Sequence, residues 1–181
     1  MSFDIVLPKG NELELARAAK TLGFKELVLA YDKISDIPKG IQKEVSGITI
    51  KSAAIIHDVS GIGKAQGKAD YIMAPAERPF LESKKIDFVF GAEGSEQKDF
   101  FYQKRSGIDD AMCKLARQNG TAIIFCANFA DGKNWLGRFR QNARLCRKHK
   151  ARAAAATFAR RPLDMRSSKD LEAFCRAIGL V

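Results

Sequence analysis

Histidine is scarce in this chain and cysteine is dispersed. A barrel-type metal hydrolase ordinarily gathers several His and carboxylate ligands at strand ends, and here the only histidines are His57 and His149. The four cysteines, Cys113, Cys126, Cys146 and Cys175, form no C-x-x-C pair. They read as small apolar residues in a reducing compartment, not as a disulfide frame or a zinc site. No window approaches the ~20 apolar residues that a membrane span needs. The first residues carry no basic region followed by a long apolar stretch, so no secretory leader is expected. A cytoplasmic protein with no membrane partner is the expectation. There is no G-x-S-x-G elbow and no G-x-G-x-x-G fingerprint.

One glycine-rich stretch invites a phosphate-loop reading and fails it. Gly61 to Gly67 is one residue too long for that loop, Gly63 is too close, and Ala69 stands where a Mg²⁺-binding Ser or Thr is required. The segment reads instead as a flexible basic loop between strands that carries Lys64 and Lys68.

What the chain does have is charge in one place. Of its 181 residues, 46% are hydrophobic and 29% charged, which suits one globular domain over residues 1–181. Residues 1–132 hold 18 Lys+Arg and 18 Asp+Glu, which cancel. Residues 133–181 hold 13 Lys+Arg against three acids, Asp164, Asp170 and Glu172, and so carry the whole net charge of +10. No acid occurs from Lys133 through Leu163. The excess is mostly Arg, whose planar fork matches phosphate bidentately and stacks on bases. A polyanionic partner is indicated, with nucleic acid ahead of a membrane surface or an acidic protein.

Strands and helices alternate along the chain. Strand patterns cover residues 4–7, 26–31, 45–50, 53–57, 70–73, 87–90, 121–126 and 151–157. The first helix is capped by Asn11, with Glu14 three residues on, carries Leu15, Ala16, Ala19 and Leu22 as its stripe, and ends at Gly23. Further helices are expected at 79–84, from a Ser106 cap through 119, at 134–148 and at 168–178, where Gly179 stops the last. Residues 91–105 read as a surface loop. Such alternation implies right-handed βαβ units and a parallel sheet with helices outside. The outcome is a compact (β/α) barrel or an open doubly wound sheet. The chain is short beside the ~250 residues typical of a full barrel.

The helix over 134–148 carries the sharpest signal. At ~100° per residue, Trp135, Phe139, Ala143 and Cys146 share one side. Arg140, Arg144, Arg147 and Lys148 fall opposite, with Arg138 on the border. An ordinary surface helix interleaves both signs for i,i+4 pairing, and this one does not. His57-Asp58, at an expected strand end, is the one ligand-like pair and supports a rival reading as a metal-dependent hydrolase. A second rival is a non-enzymatic scaffold whose basic face meets an acidic protein.

The run Ser106-Gly107-Ile108-Asp109-Asp110-Ala111-Met112-Cys113-Lys114-Leu115-Ala116 and then Asn119-Gly120-Thr121-Ala122-Ile123-Ile124-Phe125 resembles protein component 3 of archaeal ribonuclease P, the 30-kilodalton subunit family. So do Asn142-Ala143-Arg144-Leu145-Cys146-Arg147-Lys148 and Asp164-Met165-Arg166-Ser167-Ser168-Lys169-Asp170-Leu171. The ordered combination over residues 106–180 carries the likeness, and the N-terminal half follows more by pattern. The resemblance implies a TIM-barrel-like fold and a subunit of the ribonucleoprotein endonuclease that removes the 5′ leader from precursor tRNA. It implies that the RNA subunit performs the hydrolysis with Mg²⁺, so no cofactor and no catalytic residue is expected in this chain. It also implies a protein partner, component 2. RNA contact is then expected from Arg138, Arg140, Arg144, Arg147, Lys148, Arg160, Arg161, Arg166, Lys64 and Lys68.

Overall fold

The computed structural model describes residues 3–38, 45–94, 106–128 and 135–181. Seven strands form one parallel sheet in chain order: β1 (Phe3–Val6), β2 (Glu26–Tyr31), β3 (Thr49–Ile55), β4 (Tyr71–Pro75), β5 (Phe88–Phe90), β6 (Ala122–Cys126) and β7 (Ala153–Ala156). Between them lie α1 (Glu12–Thr21), α2 (Ile62–Ala65), α3 (Arg78–Leu81), α4 (Asp110–Asn119) and α5 (Trp135–His149), and α6 (Ser168–Ala177) follows β7. The sheet curls until its edges meet. A parallel bridge joins Val6 to Ala159, and Phe158 N donates to Ile5 O at 2.8 Å while Leu7 N donates to Ala159 O at 2.9 Å. The result is a seven-stranded, nearly closed TIM-barrel-like fold.

Alternation along each strand sorts the apolar residues into two layers. One set, including Ile5, Val28, Ile55, Met73, Ile124 and Ala156, fills the barrel. The other, including Val6, Leu29, Ala54, Ile72, Ile123 and Phe125, packs against Leu15, Phe80, Cys113, Phe139 and Leu171 on the helices. Aromatic rings close both ends. Phe88 meets Phe3 and Tyr71 at one end, and Phe90 meets Phe158 at 5.2 Å between centroids at the C-terminal mouth.

Several local expectations shift. The two strands expected at 45–50 and 53–57 are one strand, β3. Ser52 does not break it, because Asp70 Oδ2 accepts from both its N–H, at 2.8 Å, and its hydroxyl, at 2.9 Å. The cap of α4 is Asp109, which accepts from Met112 N at 2.8 Å, and not Ser106. Asn11 makes no side-chain cap bond; it accepts from Lys9 N and donates to Arg160 O, each at 3.0 Å, and so ties the start of α1 to the end of the barrel. The last helix starts on a capping box between Ser167 and Asp170. The expected basic loop contains a 3-10 turn (Val59–Gly61) and α2, pinned by buried Ile62 and Ala65. Of the surface loop expected at 91–105, residues 95–105 lie outside the described residues, as do the first residue of the helix expected at 134–148 and the segment before it.

Candidate nucleic-acid interface

α5 lies between β6 and β7 in the chain and docks by an aromatic face. Phe139 sits in ring contact with Phe125 of β6 at 6.0 Å, Trp135 at 5.9 Å and Phe174 of α6 at 5.2 Å. Asn142, Ala143 and Cys146 continue this buried side. The helical period therefore forces residues 140, 144, 147 and 148 outward, and all four are exposed. Arg140, Gln141, Arg144, Leu145 and Lys148 line an open groove along the helix. Three of its five lining side chains are cationic, a composition suited to a phosphate backbone.

The ten expected RNA contacts do not form one surface. Arg140, Arg144 and Arg147 stand together, and no ion pair involves them among the described residues. Arg147 leans over Gly179 at the end of α6. Lys148 shares the face but is paired with Asp110 of α4 at 2.6 Å. His149, largely enclosed, meets the same carboxylate. Hydrogen bonds from Lys148 and then His149 hold the Asp110 carboxyl down to about 2. Arg138 turns inward and donates from Nη1 to Glu93 O at 2.9 Å.

Arg160, Arg161 and Arg166 lie on the connection between β7 and α6, all exposed. Arg161 grips Asp164 bidentately, at 3.0 and 2.9 Å, which holds the Asp164 carboxyl below the usual carboxylate range. Arg166 adds a smaller Coulombic pull on Asp164 and Asp170. Lys64 and Lys68 follow β3, three strands away from β6 in the sheet order, so they belong to a different side of the barrel.

The ligand-like pair His57-Asp58 splits in space. Asp58 turns back to accept from Ser60 N at 2.7 Å, and the Ser60 hydroxyl and then its N–H lower the Asp58 carboxyl. His57 Nε2 lies 3.2 Å from Asp32 at the end of β2, with both side chains largely exposed at 66% and 75%. Among the described residues, no group of three or more His, Cys, Asp or Glu could hold a metal ion. No helix among them is long and apolar enough to cross a membrane.

Sequence reasoning missed two partners of α5: the counter-ion Asp110, 38 positions from Lys148, and the buried Glu93. Glu93 has no local signal, because one acid in a short apolar-flanked turn resembles any surface acid. Burial raises its carboxyl to about 7, against smaller opposing hydrogen bonds from its own backbone and then from Asn142.

No family model and no curated protein matches the chain. Solved structures do match its fold. A chain of an archaeal ribonuclease P determined with mature tRNA superposes with a TM-score of 0.76 at 20% identity, covering 98% of this chain and 82% of that one. A histidinol phosphate phosphatase from Lactococcus lactis, bound to zinc, L-histidinol and phosphate, gives a TM-score of 0.63 at 10% identity over 98% of this chain and 92% of that one. Both are likenesses of fold.

Proposed function

We propose that this chain is a protein subunit of a ribonuclease P, of the component 3 type, and that α5 grips the phosphate backbone of the RNA subunit. The carrying observation is the outward row Arg140, Arg144 and Arg147, unpaired among the described residues and backed by a rigid aromatic dock. The whole-length superposition on a chain of an archaeal ribonuclease P supports the assignment. The quoted sequence resemblance, strongest over residues 106–180, supports it separately.

In this reading the RNA subunit cleaves precursor tRNA with its own Mg²⁺, and the protein neutralises phosphates so that the RNA folds at lower Mg²⁺. Component 2 is the protein partner, and the particle works in the cytoplasm. The hydrolase reading through His57 and Asp58 has less support, because their side chains turn to different partners.

Reconstitution with the cognate RNA and component 2 tests the proposal. Adding this chain is expected to raise precursor-tRNA cleavage at limiting Mg²⁺. An Arg140→Ala/Arg144→Ala/Arg147→Ala variant should fold and lose most of that gain. Equal cleavage with and without the chain would overturn the proposal.

A further inference from the structure

The end of α5 differs from the ends of the other long helices. Lys150 N donates to Arg147 O at 3.2 Å and Ala151 N to Cys146 O at 2.9 Å, the paired bonds that close a helix on a left-handed residue. That residue is Lys150, at φ +54°. α1 and α6 close on the same pair of bonds with Gly23 and Gly179 in that place, at φ +86° and +74°, and α4 ends on Gly120 at φ +73°. Glycine takes this conformation freely, whereas a Cβ opposes it. The helix dipole does not require the lysine, because Arg147 and Lys148 already occupy the last turn. Strain kept at an exposed helix end points to a role outside the fold.

Lys150 stands among further cations at the base of the barrel, where β6 and β7 begin. Arg152 precedes β7 and reaches the end of α4, where a Cβ on Gly120 would stand 3.8 Å from Arg152 Nη2. On α4, Lys114 and Arg117 follow Asp110 by one and two turns and share its face. Asp110 is the residue that meets Lys148 and His149 at the end of α5. Lys114, Arg117, Lys150 and Arg152 are all exposed, and among the described residues none of them enters an ion pair. From Ala111 to Leu163 the chain holds one acid, Asp131, which lies outside the described residues. The two acids at the head of α4 are engaged, Asp109 by Met112 N and Asp110 by Lys148 and His149. Four like charges on neighbouring segments repel one another, and a polyanion laid across them relieves that repulsion.

We propose that Lys114, Arg117, Lys150 and Arg152 form a second phosphate-binding site, which carries the RNA backbone from the arginine row of α5 around the base of the barrel onto α4. The inference rests on α5 being the RNA face. Arg140, Arg144 and Lys148 descend that face toward Lys150 in steps of about 6 Å along the helix axis. Lys150 and Arg152 continue the descent, and Arg117 and Lys114 receive it on the neighbouring helix. Continuity with the α5 row favours RNA over an acidic protein at this site. A nucleic-acid strand also brings one charge with every nucleotide, which suits cations spread over three segments.

Binding of labelled polyuridylate over a salt series, beside thermal melts, tests the site. Lys150→Gly should raise Tm by about 2–4 °C through relief of the backbone. The same variant should bind about fivefold more weakly at ~0.1 M salt and lose about 0.7 of salt slope, the value of one phosphate on a single strand. Opposite signs in one variant separate a binding role from a structural one. Lys114→Ala/Arg117→Ala, a pair of surface changes, should lower the slope by about 1.4 and leave Tm within about 2 °C. Full RNA affinity in both variants, or a fall in Tm for Lys150→Gly, would overturn the site. So would polyglutamate that competes as well as polyuridylate, charge for charge, since the base of the barrel would then suit an acidic protein. The Arg140→Ala/Arg144→Ala/Arg147→Ala protein is the reference. If it loses slope and the variants at the base do not, the second site alone fails. If it keeps its slope, the α5 reading fails and takes the second site with it.

Discussion

Asp4 of β1 reaches across the barrel seam to Thr157, accepting from its backbone N–H at 2.7 Å and its hydroxyl at 2.6 Å. The carboxylate supplies the acceptor that a neighbouring strand's carbonyl would otherwise provide, just beyond the end of β7. Thr157 Oγ1 in turn accepts from Ala159 N at 3.3 Å, next to the bridge that joins Val6 to Ala159. Asp4→Ala strands three buried donors, Ile5 N, Thr157 N and the Thr157 hydroxyl, each costing ~1–3 kcal/mol when unmet. A loss of about 2–4 kcal/mol is expected in urea unfolding. A loss under about 1 kcal/mol would show that the seam does not need the carboxylate.

Two buried acids give the stability a definite pH slope. Burial raises Asp4 from 3.8 to about 6, against its bonds to Thr157, and Glu93 from 4.5 to about 7. In both, the folded value exceeds the unfolded one. Their contribution is complete below about 4 and lost as pH rises through 6 and 7. Chemical denaturation across pH 4.5–7.5 should therefore find the protein more stable toward the acid end. Asp4→Asn and Glu93→Gln together should flatten that slope, and an unchanged slope in the pair would reject this assignment.

Gly107 and Gly120 separate two costs of a side chain. Both have positive φ, +88° and +73°, which strains any L residue. At Gly120 a Cβ meets only Arg152 Nη2, at 3.8 Å, so Gly120→Ala should cost about 1 kcal/mol. At Gly107 a Cβ would enter the Ala92 carbonyl at 2.0 Å, and backbone must move. Gly107→Ala should cost about 3 kcal/mol or more, as large destabilisations have named steric causes. Equal thermal shifts for the two variants would refute the close approach.

The alternation of strands and helices was legible in the sequence because each buried strand is a short apolar run and each long helix has a stripe. The face of α5 was legible for the same reason: one helix period separates Phe139 and Ala143 from Arg140 and Arg144. Barrel closure was not, because it hangs on Asp4 and Thr157, 153 positions apart. The unity of β3 was hidden by Lys51-Ser52, a polar pair that looks like a break until Asp70 satisfies it. The ion pairs made by two of the ten expected RNA contacts were hidden for a related reason. Charge counts see Lys148 and Arg161 but not Asp110 and Asp164 beside them.

If α5 meets RNA as proposed, Asp110 is expected to restrain its basic face. It draws Lys148 and His149 toward α4 and puts negative charge beside the arginine row. Asp110→Asn should tighten RNA binding and steepen its salt dependence, with Lys148 released to a phosphate. Affinity measured over a salt series gives both numbers. Weaker binding by a folded Asp110→Asn protein would mean that the pairing presents Lys148 to RNA and does not restrain it.

The arginine row makes the most direct prediction. Each phosphate contact releases about one condensed counterion, so the slope of log K against log salt counts contacts. Arg140→Ala, Arg144→Ala and Arg147→Ala should each lower the slope by about one, with similar losses on unrelated RNA sequences. Arg161→Ala should lower it less, because that guanidinium is chelated by Asp164. Lys64→Ala and Lys68→Ala, three strands round the barrel, should leave the α5 contribution intact. Equal slopes for the Arg144→Ala and Lys68→Ala proteins would move the interface off α5.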